Sequence, residues 1–397
     1  MELEVQAEEV RRAAALVSTV LLVALWWSTG CADESESTTE SGSTFEREPT
    51  PATTTTPETT ISDGPKLVRL TGNLGDPRST APTFNISPDG KKVAFTSVSM
   101  QDRSPEIYVV GSDGTDLTHN PAPGGGPVWS PDGAKLAFTT VREQEGGPEV
   151  YIMNSDGSGQ TNLTNNPGHA GDPGTPFDGG PVFLPNGKIA FISQRDGDFE
   201  IYMMNSDGTD QTNLTNDPES ADTDPSFSAD GKKMVFRKCS ILEGVCDFYV
   251  MNSDGSNQTL VAGNVGAIFP VLSPDGRKIA FRQADQAGKL EIFIMDVDGS
   301  DVTDLTDRLG RFVSEPAFLP DGRIAFVSNP ARNDEIYVVN QDGTGRINLT
   351  NDPTANDGAV DRAPSISADG KEMAFLKAHY DESGRYVSEI YLMDLER

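Results

Sequence analysis

The residues of this 397-residue chain that can do chemistry are few, apart from its carboxylates. A hydrolytic serine needs a sharp turn and a base, and no G-x-S-x-G occurs anywhere. A metal-dependent lyase or hydrolase needs ligands at chelating spacing. The three histidines, His119, His169 and His379, stand alone in segments that read as loops, without a local ligand pair. Carboxylates are the stronger candidates. Asp178, Asp222, Asp224, Glu315 and Asp361 lie just before short apolar runs, and His169, Asp172 and Asp357 lie in the acidic, Gly/Pro-rich inserts "NNPGHAGDPGTPFDGG" and "NDPTANDGAVDRA". Arg78, Arg311 and Arg362 are interspersed. Such a group can take a divalent ion, with Ca2+ the one cofactor it suggests, or a basic peptide or a sugar.

What positions these residues is a repeat. "NSDGTDQTNLTNDP" at 205–218 returns as "NSDGSGQTNLTNNP" at 154–167 and "NQDGTGRINLTNDP" at 340–353. Upstream stands a second phrase, as in "PVWSPDGAKLAF" and "PVLSPDGRKIAF", whose closing phenylalanines are Phe95, Phe138, Phe191, Phe236, Phe281, Phe326 and Phe375. A third phrase, "EIYVV" or its kin, carries Tyr108, Tyr151, Tyr202, Tyr249, Phe293, Tyr337 and Tyr391. The β-branched and aromatic runs read as strands, and the Asp-Gly pairs as tight turns. Each repeat of some 45 residues therefore has four strands, here called a to d, which is the pattern of a propeller blade. The last repeat lacks strand d, while "SDGPKLVRLT" at 62–71 is a d strand with no a, b or c before it. The expected fold is all-β: a seven-bladed propeller over 62–397, closed by the N-terminal strand completing the last blade.

Repetition also separates structure from function, since what recurs in every blade is architecture. Asp89, Asp132, Asp230, Asp275, Asp321 and Asp369, with Asn186, precede turn glycines and read as turn residues rather than metal ligands. A basic residue recurs after strand b, at Arg103, Arg142, Arg195, Arg237, Arg282, Arg332 and Lys377, and reads as a structural ion pair or cap in the b–c loop rather than an anion site. Non-recurring residues gather at the b–c and d–a loops, which share one face. The carboxylates above are expected to ring the channel mouth there.

The "SPDGKxIAF … EIYxMNxDGT … LTN" phrases resemble the TolB-type, WD40-like propeller family of bacterial envelope proteins, over everything after about residue 62. That resemblance implies the propeller fold and an envelope address. In function it admits a protein-binding platform, a peptidase gate or an oligogalacturonate lyase. TolB proteins carry an α/β domain before the propeller and peptidases a catalytic domain beyond it; neither is expected here, so the architecture is carried over and not the partner.

Residues 13–27, "AAALVSTVLLVALWW", are of signal-peptide length, shorter than a membrane span, and "STGC" places Gly30 before Cys31 as in a lipobox. The expected organisation is a signal peptide over 1–31, lipidation at Cys31, a Ser/Thr/Glu/Pro tether over 32–61 and the propeller beyond. Cys239 and Cys246 flank a short loop and are expected to form a disulfide in an oxidising compartment. A formal charge of -30 argues against nucleic acid and anionic lipid as partners. The reading is a monomeric, exported scaffold without chemistry of its own. A lipid anchor is its sole membrane contact, it faces periplasm or exterior, and its loop face binds an envelope protein or cell-wall polymer. The alternative is a metal-dependent polysaccharide lyase.

Overall fold

The structure, a computed structural model, describes residues 67–72, 83–98, 105–120, 124–142, 147–166, 177–263, 266–284, 288–306, 313–314, 316–329, 333–351, 360–380 and 383–396. The expected leader, tether and Cys31 lie outside them. Among the described residues there are seven antiparallel four-stranded sheets. Six run a-b-c-d in chain order; blade 3, for example, is Asp178–Phe183, Ile189–Ser193, Glu200–Met204 and Thr212–Asn213. The seventh orders Leu67–Arg69, Tyr386–Asp394, Glu372–Tyr380 and Val360–Ile366, so the N-terminal strand is the outer strand of the C-terminal blade, as expected.

Strands b and c are near-continuous apolar runs because each sheet is covered on both faces by its neighbours. "EIYMM" of blade 3 is buried at every position. Apolar clusters therefore straddle blades: Ile107 and Val109 of blade 1 pack with Trp129, Leu136 and Phe138 of blade 2. Burying a side chain such as Phe138, fully inaccessible, stabilises by about 2–3 kcal/mol. The recurring aromatics face each other across strands b and c, with centroids 5.5 Å apart for Phe95–Tyr108 and 6.0 Å for Phe375–Tyr391. Strand d is often only two residues long, which blunts the outer edge.

The turns satisfy themselves. Asp132 Oδ1 accepts from Ala134 N at 3.0 Å and Ser130 Oγ at 2.6 Å, and the same pattern holds at Asp89, Asp230, Asp275 and Asp369. The c–d turn glycine has a second task. At Gly208 (φ 85°) an added Cβ would lie 2.7 Å from Leu163 O of the preceding blade, so this turn sets blade spacing. Gly114 of blade 1 faces Leu70 O at the same place, 3.6 Å from where its Cβ would lie, so the closing strand stands where a preceding blade's strand d would.

Strand a carries a feature the sequence pattern did not announce. The residue before its proline is left-handed in five blades: Gly126, Gly180, Asp224, Phe269 and Ala363, with φ from 53° to 62°. Each coincides with a register shift against strand b. This bulge lets strand a continue paired below it, into what reads from sequence as the d–a loop. Three expectations are corrected accordingly. Asp178, Asp222, Asp224 and Asp361 lie within strand a rather than in loops. Arg237, Arg282 and Lys377 lie within strand b rather than in the b–c loop. His119 lies in strand d of blade 1 (Asp116–Asn120), in register with Tyr108, and His379 lies in strand b of blade 7, because that b–c hairpin runs several residues past its aromatic pair.

Candidate functional site

In blades 2, 3, 5 and 6 the end at which b joins c is tied together by two recurring phrases. The strand c glutamate accepts from the threonine of strand d, and that threonine's hydroxyl accepts from the next amide of strand c. Thr215 Oγ1 donates to Glu200 Oε2 and accepts from Ile201 N at 3.1 Å. Thr164 repeats this with Glu149 and Val150 N, and Thr306 with Glu291 and Ile292 N. The asparagine of Asn-Leu-Thr caps the same corner, its Oδ1 accepting from Thr215 N at 3.1 Å. These triplets are thus structural in the folded blade.

Inside this layer sit the carboxylates expected at the channel mouth, and they are buried instead of open. Asp178, Asp222 and Asp361 are 2 % exposed or less. Arg195 Nη2 meets Asp178 Oδ2 at 2.8 Å, Arg237 Nε meets Asp224 Oδ2 at 2.8 Å, and Lys377 Nζ lies 3.9 Å from Asp361 Oδ1. Arg362 Nε reaches Asp334 Oδ2 of the preceding blade at 2.6 Å. Arg195, Arg237 and Lys377 are therefore ion-pair partners, whereas Arg142 donates to Gln160 Oε1 at 2.7 Å and Arg282 to Val313 O at 3.3 Å, and Arg103 and Arg332 lie outside the described residues. Asp178, Asp224 and Asp361, expected to take a free cation, already face this chain's own cations. The bulge lets strand a run on through these positions, where they pair with strand b and meet its basic residues. Glu315, Asp357, His169 and Asp172 lie outside the described residues. Among the described residues no three His, Cys, Asp or Glu side chains converge in a metal-holding arrangement. His119 and His379 belong to different blades, and His379 is half-buried with Nδ1 making no hydrogen bond.

Blade 4 departs from its neighbours. It doubles the basic residue, Arg237 and Lys238, and carries two acidic partners on strand a, Asp222 and Asp224. Lys238 Nζ lies 2.6 Å from Asp217 Oδ2 and 3.7 Å from Asp222 Oδ2, and Asp217 N donates to Glu200 Oε1 of blade 3 at 2.6 Å. Burial pushes the Glu200 carboxyl up to about 7 and the Asp222 carboxyl to about 6, and it raises Asp198 as well. The reading from sequence missed Glu200, Asp198, Asp217 and Lys238. The signal was present in "DPESADTDP" followed by the doubled Arg-Lys, which no other repeat has.

On the same face the b–c hairpins present apolar tips. Val141 of blade 2 is 50 % exposed, Tyr380 of blade 7 is 47 % and Leu242 of blade 4 is 80 %. Leu242 sits on a turn held by Gly244 N to Ser240 O at 2.9 Å and Ile241 N to Glu219 O at 3.0 Å. The Cys239–Cys246 disulfide closes that hairpin directly beneath.

Comparison with known proteins bears on the repeat. Residues 261–396 match the family model described as PD40, the TolB beta propeller domain. A TolB homolog from Chlorobium luteolum is 31 % identical over 129 residues, 32 % of this chain and 27 % of that protein. The chain thus aligns with about a quarter of that relative's length. Among solved structures, an oligogalacturonate lyase from Vibrio parahaemolyticus superposes with TM-score 0.53 at 13 % identity, over 80 % of this chain and 97 % of that one. The β-propeller domain of the Trilobed protease from Pyrococcus furiosus gives 0.55 at 14 %, covering 79 % and 92 %. A puromycin hydrolase gives 0.60 at 16 %, covering 78 % and 51 %. At such identities these likenesses carry the fold alone. Residues 261–396 thus carry the TolB-type β-propeller repeat, and the four-stranded blade they form recurs in all seven sheets of the described residues.

Proposed function

We propose that this chain is an exported envelope scaffold that binds a protein or cell-wall polymer through the face made by its b–c and d–a connections. The observation that carries this reading is the set of apolar tips, Val141, Leu242 and Tyr380, on three b–c hairpins of that face. The repeat does not require them, whereas the recurring Asp, Glu, Thr and Arg residues are consumed by turns, corners and ion pairs. A rigid apolar side chain at a braced tip anchors a partner at little ordering cost. The propeller's negative charge directs it to partners that are neutral or basic at their surface. In the same reading, residues 1–31 export the chain, Cys31 carries lipid, residues 32–61 hold a monomeric propeller away from the membrane, and any Ca2+ is structural. The lyase alternative rests on fold likeness alone.

Site-specific photocrosslinking in cells tests the reading. A crosslinking residue at Leu242 or Tyr380 is expected to trap a discrete envelope component, whereas one at Ile347 or Val302, equally exposed on the outer wall, is not. Trapping from the outer wall alone would remove the loop face from consideration.

A further inference from the structure

The seam between blades 3 and 4 holds more buried acid than base. Asp198 and Glu200 come from blade 3, Asp217 from the connection, and Asp222 from strand a of blade 4. Asp217 and Asp222 face one ammonium, Lys238, at 2.6 and 3.7 Å, which also lies 5.5 Å from the Tyr249 ring, and Glu200 joins them by accepting from the Asp217 amide. Asp247 stands opposite Lys238 on strand c, and Asp196 adds a further carboxylate, occupied by Tyr202 Oη and by Asn213 Nδ2 at 3.2 Å. Arg195, the other nearby cation, stacks on Tyr202 and pairs with Asp178, so it does not neutralise this seam. Asp222 is fully buried; its Oδ1 accepts from Ser220 Oγ at 3.1 Å, but its Oδ2 makes no hydrogen bond, and neither does the buried Oδ2 of Asp198. Glu200 is 2 % exposed. The backbone crosses the seam here: Asp222 N donates to Phe199 O at 2.6 Å, and Asp217 N to Glu200.

We propose that this seam is a proton-operated latch: with Glu200 and Asp222 protonated the two blades are clasped, and with both ionised the connection Asn216–Ser220 between them loosens. Glu200 and Asp222, both buried beside the Lys238–Asp217 pair, cannot both ionise without a repulsion that burial leaves poorly screened. The raised values of Glu200 and Asp222 place the change between mild acid and neutral pH. A carboxyl raised in the folded state binds protons more readily folded than open. The seam is therefore least stable above about pH 7, gains stability as pH falls through 7 and 6, and levels off near the ordinary carboxyl values. The loosened segment lies on the proposed partner face, beside the Leu242 hairpin through the Ile241–Glu219 bond. The latch itself does not depend on what that face binds.

Hydrogen exchange of the intact protein between pH 5 and 8, corrected for intrinsic rates, reads the latch directly in peptides covering residues 213–223. The opening constant is expected to be at least about a hundredfold larger at pH 8 than at pH 5. In Glu200→Gln that ratio should shrink to about tenfold, the share that Asp222 alone supplies, with more protection at pH 8 than in the wild type. Asp222→Asn is read in the same way should Glu200→Gln fail to fold. Equal wild-type protection at pH 5 and 8, or a full pH dependence retained in either variant, overturns the proposal.

Discussion

Leu70→Ala tests the closure of the ring at a single side chain. Leu70 lies 5 % exposed in a cluster that joins Val93, Phe95 and Val110 of blade 1 to Ile390 and Leu392 of blade 7. Its amide donates to Ile390 O at 2.8 Å, and Thr71 Oγ1 accepts from Ile390 N at 2.9 Å, as Thr215 does within blade 3. Truncating a buried leucine leaves a cavity between two blades and costs about 2–4 kcal/mol. Unfolding of the roughly 270 described residues carries an entropy near 0.6 kcal/mol/K, so the melting midpoint should fall by about 3–7 °C. Differential scanning calorimetry of the wild type, Leu70→Ala and Leu214→Ala provides the comparison, because Leu214 holds the same place in blade 3 and is 8 % exposed. Matching losses are expected. A loss below about 0.5 kcal/mol for Leu70→Ala beside a full loss for Leu214→Ala would show that the seventh blade stands without the N-terminal strand, and the reasoning would fail.

Two further outcomes follow from the geometry. Ala363 is exposed with φ 53° at the bulge of blade 7, so Ala363→Gly relieves left-handed strain without losing packing and should stabilise by up to about 1 kcal/mol in denaturant unfolding; destabilisation would contradict the bulge. The Cys239–Cys246 bond closes a sequence separation of seven residues, so the double serine variant should lose about 2–3 kcal/mol, with the loss matched by the wild type under reductant; an unchanged midpoint in both would mean the thiols are not bridged in solution.

Much of this fold is legible in the letters because each blade repeats a small grammar. Asp-Gly specifies turns through the glycine φ and the Asx hydrogen bond, and the paired aromatics specify which strands b and c face each other. The orphan "SDGPKLVRLT" at the start specifies closure, since a strand d spelled without its blade has one vacant place to go. The candidate site was legible only in composition. Asp178, Asp222, Asp224 and Asp361 stand out by not recurring in every blade, but their neighbours in sequence say nothing of their burial. Asp178 meets Arg195 across strands 17 residues apart, and Arg362 meets Asp334 across blades 28 residues apart.

By itself, then, the sequence determined blade number, strand order and the velcro closure, because these follow from local turn chemistry and periodicity repeated seven times. Tertiary structure decided the protonation and solvent contact of the carboxylates. A bulge at a left-handed residue extends strand a through Asp178, Asp222 and Asp361, and the charge each can hold there depends on which cation the neighbouring strand or blade delivers. At Asp178 that is a guanidinium at 2.8 Å; at the blade 3–4 seam it is one lysine shared by Asp217 and Asp222, and the burial of Glu200 and Asp222 exists only once the two blades pack against each other.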